Sequence, residues 1–251
     1  MPSARAELPT LAPGSLIATD FDGTLSPIVE DPAAARPIDG ALEVLSQLAA
    51  RGHEVAVVSG RPLSFLALQL PEDLTLVGLY GLEARRNGQL VEHPNAGVWR
   101  EAIADVATAA QRRGPEGMQV ESKGLSITLH YRTHPELADR VAAYAAEIAP
   151  TAGLEIRPAR CSIELHPPID VDKGTAILRL AAEAPGDVVY LGDDVGDLPA
   201  FDALDELAAA GRRVLRVVVD SDELAPTLRG RGDLVVDGPA GARDLLVELA
   251  S

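Results

Sequence analysis

The chain has 251 residues, 47% of them hydrophobic, which excludes a disordered chain and allows one large domain with an insertion or two modest ones. A formal charge of −16, from 38 acidic against 22 basic residues, argues against nucleic acid or an anionic membrane as partner and makes each well-placed Lys or Arg informative. The one cysteine, Cys161, allows no internal disulfide, and no Cys/His cluster has zinc spacing.

Residues Met1 to Gly14 lack a basic stretch followed by a long apolar core, and no apolar run reaches the roughly 18 residues of a membrane span. A cytoplasmic protein is therefore expected. A short apolar run, Leu16 to Ala18, predicts a buried strand, and Ala41 to Ala50 predicts a helix. The pair recurs as Val55 to Val58 with Pro62 to Leu70, and as Val188 to Leu191 with Asp197 to Ala209. Val214 to Val219, Leu234 to Val236 and a closing helix from Ala240 to Leu249 complete the series. This alternation is that of an α/β fold, a parallel sheet with helices on both faces.

The middle of the chain has a different texture. From Ala96 to Pro168 the pattern reads helix (Val98 to Arg112), strand pair, helix (Glu136 to Ile148), strand pair, with Leu137, Val141, Tyr144 and Ile148 on one face of the second helix. Pro94, Pro158, Pro167 and Pro168 punctuate the segment. The expected organisation is a core domain of residues 1–95 and 169–251 with an inserted α+β domain of residues 96–168. Closure of that domain about hinges near Pro94 to Gly97 and Pro167 to Ile169 would expel water from a bound ligand.

The chemistry concentrates at strand ends. The first strand delivers Asp20 and Asp22 just past its carboxyl end, where open α/β sheets bind ligands, and Gly23 permits a sharp turn. Two carboxylates this close repel unless a cation sits between them or one is protonated. A hard cation bound by oxygen would hold Asp20 ionised to attack phosphorus, while Asp22 exchanges a proton with the leaving oxygen and then with water. Asp193, Asp194 and Asp197 follow a later strand and can complete the oxygen shell. Ser59 and Gly60 end a strand and open a helix, a place where hydroxyl and backbone N–H groups hold phosphate, and Lys173 opens another helix. Each element alone has a plain alternative, a solvated turn, a helix N-cap or a surface lysine. Their joint arrival at one edge of one sheet favours a site.

With these residues the chain resembles the haloacid dehalogenase-like phosphatases, whose four motifs are matched by Asp20 to Thr24, by Ser59, by Lys173 and by Gly192 to Asp194. The resemblance implies a Rossmann-like core and magnesium held by Asp20, the backbone carbonyl of Asp22, and Asp193, with Asp194 or Asp197 in support. Within that superfamily the chain is similar to the trehalose-6-phosphate phosphatases: Asp20 to Ile28 reads DFDGTLSPI, Ser59 to Arg61 reads SGR, Gly78 to Gly88 reads GLYGLEARRNG, and Lys123 to Arg132 reads KGLSITLHYR. The family usually shows a histidine where Tyr80 stands, and Thr and Glu where this chain has Gly196 and Leu198.

Periodicity gives a separate view of the inserted domain. In a strand from Leu125 to Arg132, Ser126, Thr128, His130 and Arg132 share one face; in Cys161 to His166, Ser162, Glu164 and His166 do, leaving Cys161 on the core side. Such a face suits a polyhydroxylated ligand, or is simply the wet side of an antiparallel sheet. The resemblance assigns sugar contacts to Lys123, His130, Arg132 and Glu164, with Ser126 beside them; Arg61 and Glu83 either line the cleft or bridge core elements. The implied reaction is magnesium-dependent hydrolysis of trehalose 6-phosphate by a monomeric enzyme. The alternatives are a phosphatase for sucrose phosphate, mannosyl- or glucosyl-phosphoglycerate or a hexose phosphate, and a sugar-phosphate sensor without activity.

Overall fold

The computed structural model describes residues 10–29, 31–159, 161–220 and 226–251. In chain order, strand β1 (Leu16–Thr19) is followed by α1 (Ala41–Ala50), β2 (Glu54–Val58), α2 (Leu63–Gln69), β3 (Thr75–Gly78), β4 (Glu83–Arg86) and β5 (Gln89–Glu92). Then come α3 (Arg100–Arg113), β6 (Gln119–Ser122), β7 (Ile127–His130), α4 (Ala138–Thr151), β8 (Glu155–Ala159) and β9 (Ser162–His166). The chain ends with α5 (Lys173–Glu183), β10 (Val188–Gly192), α6 (Leu198–Ala209), β11 (Val214–Asp220), α7 (Pro226–Arg229), β12 (Leu234–Asp237) and α8 (Gly238–Leu249). It divides into two compact units, residues 1–91 with 171–251, and residues 92–170.

The larger unit is built on one sheet in the order β12-β11-β10-β1-β2-β3-β4-β5. Neighbours from β12 through β3 are parallel, and β3 and β4 are antiparallel. The alternation of side chains decides which helices cover which face. Ile17, Val55, Val57, Val189, Leu191, Val217 and Val219 join the cluster that includes Val44 and Leu48 of α1, Leu66 of α2 and Leu245 of α8. Leu16, Ala18, Ala56, Val58, Val188, Tyr190 and Val218 join the opposite cluster with Ile177 of α5 and Phe201 of α6. In α1 the buried positions Ala41, Val44, Leu45 and Leu48 follow the helical period.

Strand β1 lies at the centre. Its two neighbours are β2, the next strand in the chain, and β10, reached only after the second unit. That reversal of strand order is the switch point at whose carboxyl end α/β sheets form a crevice. Beyond β3 the sheet continues through β4 and β5, strands that the apolar-run pattern did not reveal. Asn87 and Gly88, with φ of 50° and 72°, form the two-residue turn between them, a turn type that matches strand twist.

The smaller unit is a four-stranded antiparallel sheet in the order β6-β7-β9-β8. Ile127, Leu129, Ile163 and Leu165 pack with Ile103 and Val106 of α3 and Val141 and Ala145 of α4. Two sequence expectations are corrected here. The strand expected to run to Arg132 stops at His130, because Tyr131 N–H donates to Cys161 O and His134 N–H donates to Tyr131 O, closing a turn that leaves Arg132 exposed and off the strand face. Cys161, expected in the core, sits before β9 with φ of 48° and is half-exposed; a residue turning through left-handed space cannot keep the strand's alternation.

Candidate active site

The site forms at the carboxyl end of β1 and its neighbours. Asp20 N–H donates to Leu191 O at 2.9 Å, continuing the β1–β10 ladder one residue beyond the strand and fixing the carboxylate at its tip. The chain then folds back: Leu25 and Ser26 N–H both donate to Phe21 O at 2.9 Å, and Gly23 N–H donates to Ser26 O at 2.7 Å. Gly23 has φ of +76°, and a β-carbon there would stand 2.0 Å from Asp193 Oδ2. The two acidic segments therefore meet because Gly23 has no side chain. Thr24 Oγ1 donates to Asp193 Oδ1 at 3.0 Å and holds that carboxylate in place.

Lys173 reaches the same point from α5. Asp172 caps the helix, accepting from Thr175 N–H at 2.7 Å while Thr175 Oγ1 accepts from Asp172 N–H at 2.9 Å. A β-carbon at Gly174 would stand 2.4 Å from Pro199 O, so the glycine after Lys173 lets α5 approach the start of α6. A cation at a helix N-terminus opposes the helix dipole. Two buried carboxylates offset this: Lys173 Nζ lies 2.9 Å from Asp20 Oδ2 and donates to Asp197 Oδ1 at 2.6 Å.

Asp197 is the hub of the cluster. Its Oδ1 also accepts from the Tyr190 hydroxyl at 2.5 Å, and its Oδ2 accepts from Asp193 N–H at 2.8 Å and Asp194 N–H at 3.1 Å. Asp197 has no solvent exposure, and four donors occupy its two oxygens. Expected from the sequence as a metal ligand, Asp197 is also an organising carboxylate, which shapes the turn carrying Asp193 and anchors Lys173. Asp194 was expected in the metal shell as well. Its exposed side chain turns aside to cap the segment after β10, accepting from Gly196 N–H at 2.7 Å.

Asp22 and Arg61 meet as an ion pair. Arg61 Nε and Nη2 donate to Asp22 Oδ2 and Oδ1, each at 2.7 Å, and Nη1 donates to Pro32 O at 2.9 Å. The guanidinium lies 4.4 Å from the centroid of the Phe65 ring. Of the two roles open to Arg61, bridging core elements is the one seen. Glu83 accepts from Leu63 N–H at 2.5 Å at the start of α2. Ser59 is buried at the tip of β2, where its Oγ accepts from Arg61 N–H at 3.2 Å and retains its proton to donate.

Asp20, Asp193 and Asp197 bring carboxylate oxygens within 4.8 Å of one another, the group among the described residues with metal-ligand geometry. Burial raises the Asp20 pKa well above its ordinary value, with Lys173 opposing the shift and Asp197 and Asp193 adding to it. Burial, then Asp197 and Asp194, push Asp193 up to about 8. Burial alone would lower Lys173, but Asp197 and Asp20 more than offset it and hold the ammonium protonated. Three buried carboxylates against one ammonium call for a further cation, and an all-oxygen donor set suits a hard divalent one.

The sign of the Asp193 shift gives a testable consequence. Native Asp193 holds its proton more tightly than the unfolded chain does, so this group's contribution to stability is complete below about pH 4 and is lost as pH rises toward about 8. The fall should appear in thermal melts of chelator-treated protein between these limits and shrink on adding a divalent cation. Equal pH dependence with and without the cation would count against metal binding here.

In the smaller unit, Ser126, Thr128, Ser162, Glu164 and His166 are buried rather than wet. Ser126 Oγ donates to Glu164 Oε1 at 2.6 Å, Lys123 Nζ lies 3.9 Å from the same oxygen, and His130 Nε2 lies 2.8 Å from Glu121 Oε2. Thr128 pairs across the sheet with Glu164, and its buried Oγ1 has no hydrogen-bond partner. Arg132 does not join this group.

Sequence reasoning missed Thr24 and Tyr190. Thr24 stood in the acidic motif without a role, and Tyr190 read as one more apolar residue of a buried strand, since period-2 patterning cannot show where a phenol's hydroxyl ends.

A family model described as Trehalose-phosphatase matches residues 18–227. The trehalose-phosphate phosphatase of Mycobacterium avium (strain 104) is 36% identical over 248 residues, covering 92% of this chain and 61% of its own length. That of Mycobacterium ulcerans (strain Agy99) is 36% identical over 197 residues, covering 74% of this chain and 50% of its own. The chain thus spans between half and about three fifths of the length of these curated relatives. Among solved structures, a trehalose-6-phosphate phosphatase related protein superposes with a TM-score of 0.73 at 27% identity, covering 94% of this chain and 96% of the other. A haloacid dehalogenase-like hydrolase from Bacteroides thetaiotaomicron shares the fold with a TM-score of 0.64 at 12% identity, covering 94% of this chain and 99% of its own.

Proposed function

The chain belongs to the trehalose-phosphatase family, and from that premise we propose that it hydrolyses trehalose 6-phosphate to trehalose and phosphate, with magnesium as its metal. The observation that carries the proposal is the convergence of Asp20, Lys173, Asp193 and Asp197, from three separate segments of the chain, within hydrogen-bonding and metal-ligand distances.

Asp20 is the nucleophile: its carboxylate attacks phosphorus in line, and the bond to the sugar oxygen breaks as an aspartyl phosphate forms. Asp22 protonates the leaving sugar oxygen and then takes a proton from the water that cleaves the aspartyl phosphate. Arg61 orients Asp22 between these two proton transfers. Lys173, the Ser59 hydroxyl and the Gly60 N–H neutralise or hydrogen-bond the phosphoryl oxygens. Asp20 and Asp193 would hold the magnesium, with the Asp22 carbonyl beside them and Asp197 fixing the turn. When bound, the ion supplies positive charge against the phosphoryl group and keeps Asp20 ionised.

Sugar recognition is assigned to residues 92–170. There Lys123, Ser126, Thr128, His130 and Glu164 offer ammonium, hydroxyl, imidazole and carboxylate groups on one sheet, and the unpartnered Thr128 hydroxyl supports a ligand that hydrogen-bonds. Arg132, in its exposed turn, has the weakest support. The proposal extends to a cytoplasmic monomer acting on a small molecule, without nucleic-acid or membrane partners; among the described residues no helix is long and apolar enough to cross a membrane.

Released phosphate, measured on a panel of phosphorylated sugars with and without magnesium, tests the reading. Trehalose 6-phosphate should rank first. A higher rank for sucrose phosphate, a glycosyl-phosphoglycerate or a hexose phosphate would replace the substrate, and no release from any would favour a sensor.

A further inference from the structure

Two consecutive non-glycine residues, Leu79 and Tyr80, take left-handed φ of 47° and 59° in the turn after β3. L side chains rarely adopt such values, and strained pairs of this kind persist only when the surroundings fix them. Here the fixing is visible. Leu79 N–H donates to Arg61 O and Tyr80 N–H donates to Ser59 O, both at 3.0 Å, so the turn grips the Ser59-Gly60-Arg61 segment on either side of Gly60. The Tyr80 ring closes the grip: a β-carbon at Gly60 would stand 2.5 Å from the Tyr80 hydroxyl oxygen and 2.6 Å from its Cζ. Gly78 must also be bare, since a β-carbon there would meet Leu63 N at 2.7 Å. The far side of the turn backs onto Val171, where a β-carbon at Gly81 would come 3.7 Å from Val171 Cβ, two residues before Lys173. One strained turn therefore touches both segments that supply phosphate-binding groups.

We propose that Tyr80 is a positioning residue for the phosphoryl group: its ring, lying over Gly60, holds the Ser59-Gly60-Arg61 turn in the conformation that presents the Ser59 hydroxyl and Gly60 N–H to a phosphoryl oxygen. This rests on the phosphatase reading above and adds to it a residue that acts through the turn rather than by touching substrate. Preorganised donors lose their effect when the segment carrying them can relax.

The probe is inorganic phosphate, used as competitive inhibitor and in a direct binding titration with the full chain in magnesium. Tyr80→Ala should lower kcat and raise the phosphate Ki by about tenfold each, a loss typical of misplaced donors. Tyr80→Phe, which keeps the ring over Gly60, should lose less than Tyr80→Ala in both kcat and phosphate Ki, because the packing of the ring is retained. Gly60→Ala should be strongly deleterious with the ring present and nearly harmless in the Tyr80→Ala background, since the two groups compete for one space. Unchanged kcat and phosphate Ki in Tyr80→Ala, or equal Gly60→Ala losses in both backgrounds, would overturn the proposal. If Tyr80→Ala does not fold, Tyr80→Leu, which keeps apolar bulk but lacks the ring atoms that lie over Gly60, carries the same comparison, and an unaltered phosphate Ki there would also overturn it. Failure of the unsubstituted chain to release phosphate from any sugar phosphate counts against the reaction alone, and the phosphate titration across the series still decides the role of the ring.

Discussion

Asp20→Asn should lower turnover by about ten-thousand-fold, the scale seen when a covalent nucleophile is removed from an otherwise assembled site, while leaving the fold intact. The amide is nearly isosteric, the backbone bond from Asp20 to Leu191 is untouched, and the new carbonyl can still accept from Lys173. Stability should hold or rise slightly, because burial and the neighbouring carboxylates already disfavour the charged form of this side chain. Phosphate release and a thermal melt, measured on the same preparation, check both halves. Activity near that of the unsubstituted chain would end the aspartyl-phosphate mechanism, and a collapsed melt would show Asp20 to be structural.

Lys173→Met should damage both activity and folding. The ammonium is 3% exposed and sits between Asp20 and Asp197, so removing it leaves two buried carboxylates without their cation. Breaking a buried ionic cluster from one side destabilises by about 3–5 kcal/mol, and losing a charge aimed at the phosphoryl oxygens slows the reaction by about a thousandfold. Urea unfolding and kcat report the two effects. A midpoint within error of the unsubstituted chain would mean the cluster relaxes around the methionine, which contradicts the close approach of α5 and α6 at Gly174.

The sheet was largely legible in the sequence because its buried strands are runs of Val, Leu and Ile and its helices repeat at the helical period. Ala41 to Ala50 shows this best, its limits fixed by the buried Ala41, Val44, Leu45 and Leu48. β3 to β5 were not legible: each has four residues, β5 is exposed throughout, and the left-handed Leu79 and Tyr80 between β3 and β4 carry no compositional mark. At the site, spacing brought the acids to one sheet edge but did not show how their oxygens are engaged. Asp193 and Asp197 are both aspartates after one strand, and only the count of donors around Asp197 reveals that its oxygens are already engaged. In the smaller unit, alternation marked the polar face through Thr128 and Glu164 and failed where the chain turned, at Arg132 and Cys161.

The central place of β1 bears on how the molecule is made. Its neighbour β10 pairs Leu16 with Val188, so a nascent chain that has left the ribosome only through the end of the smaller unit carries β1 with one edge bare. Synthesis must deliver β10 before the core sheet can close, and Asp193 arrives at Asp20 with it. Formation of the acidic centre therefore waits on β10 and depends on contacts between distant parts of the polypeptide, with β11 and β12 then extending the sheet beyond it.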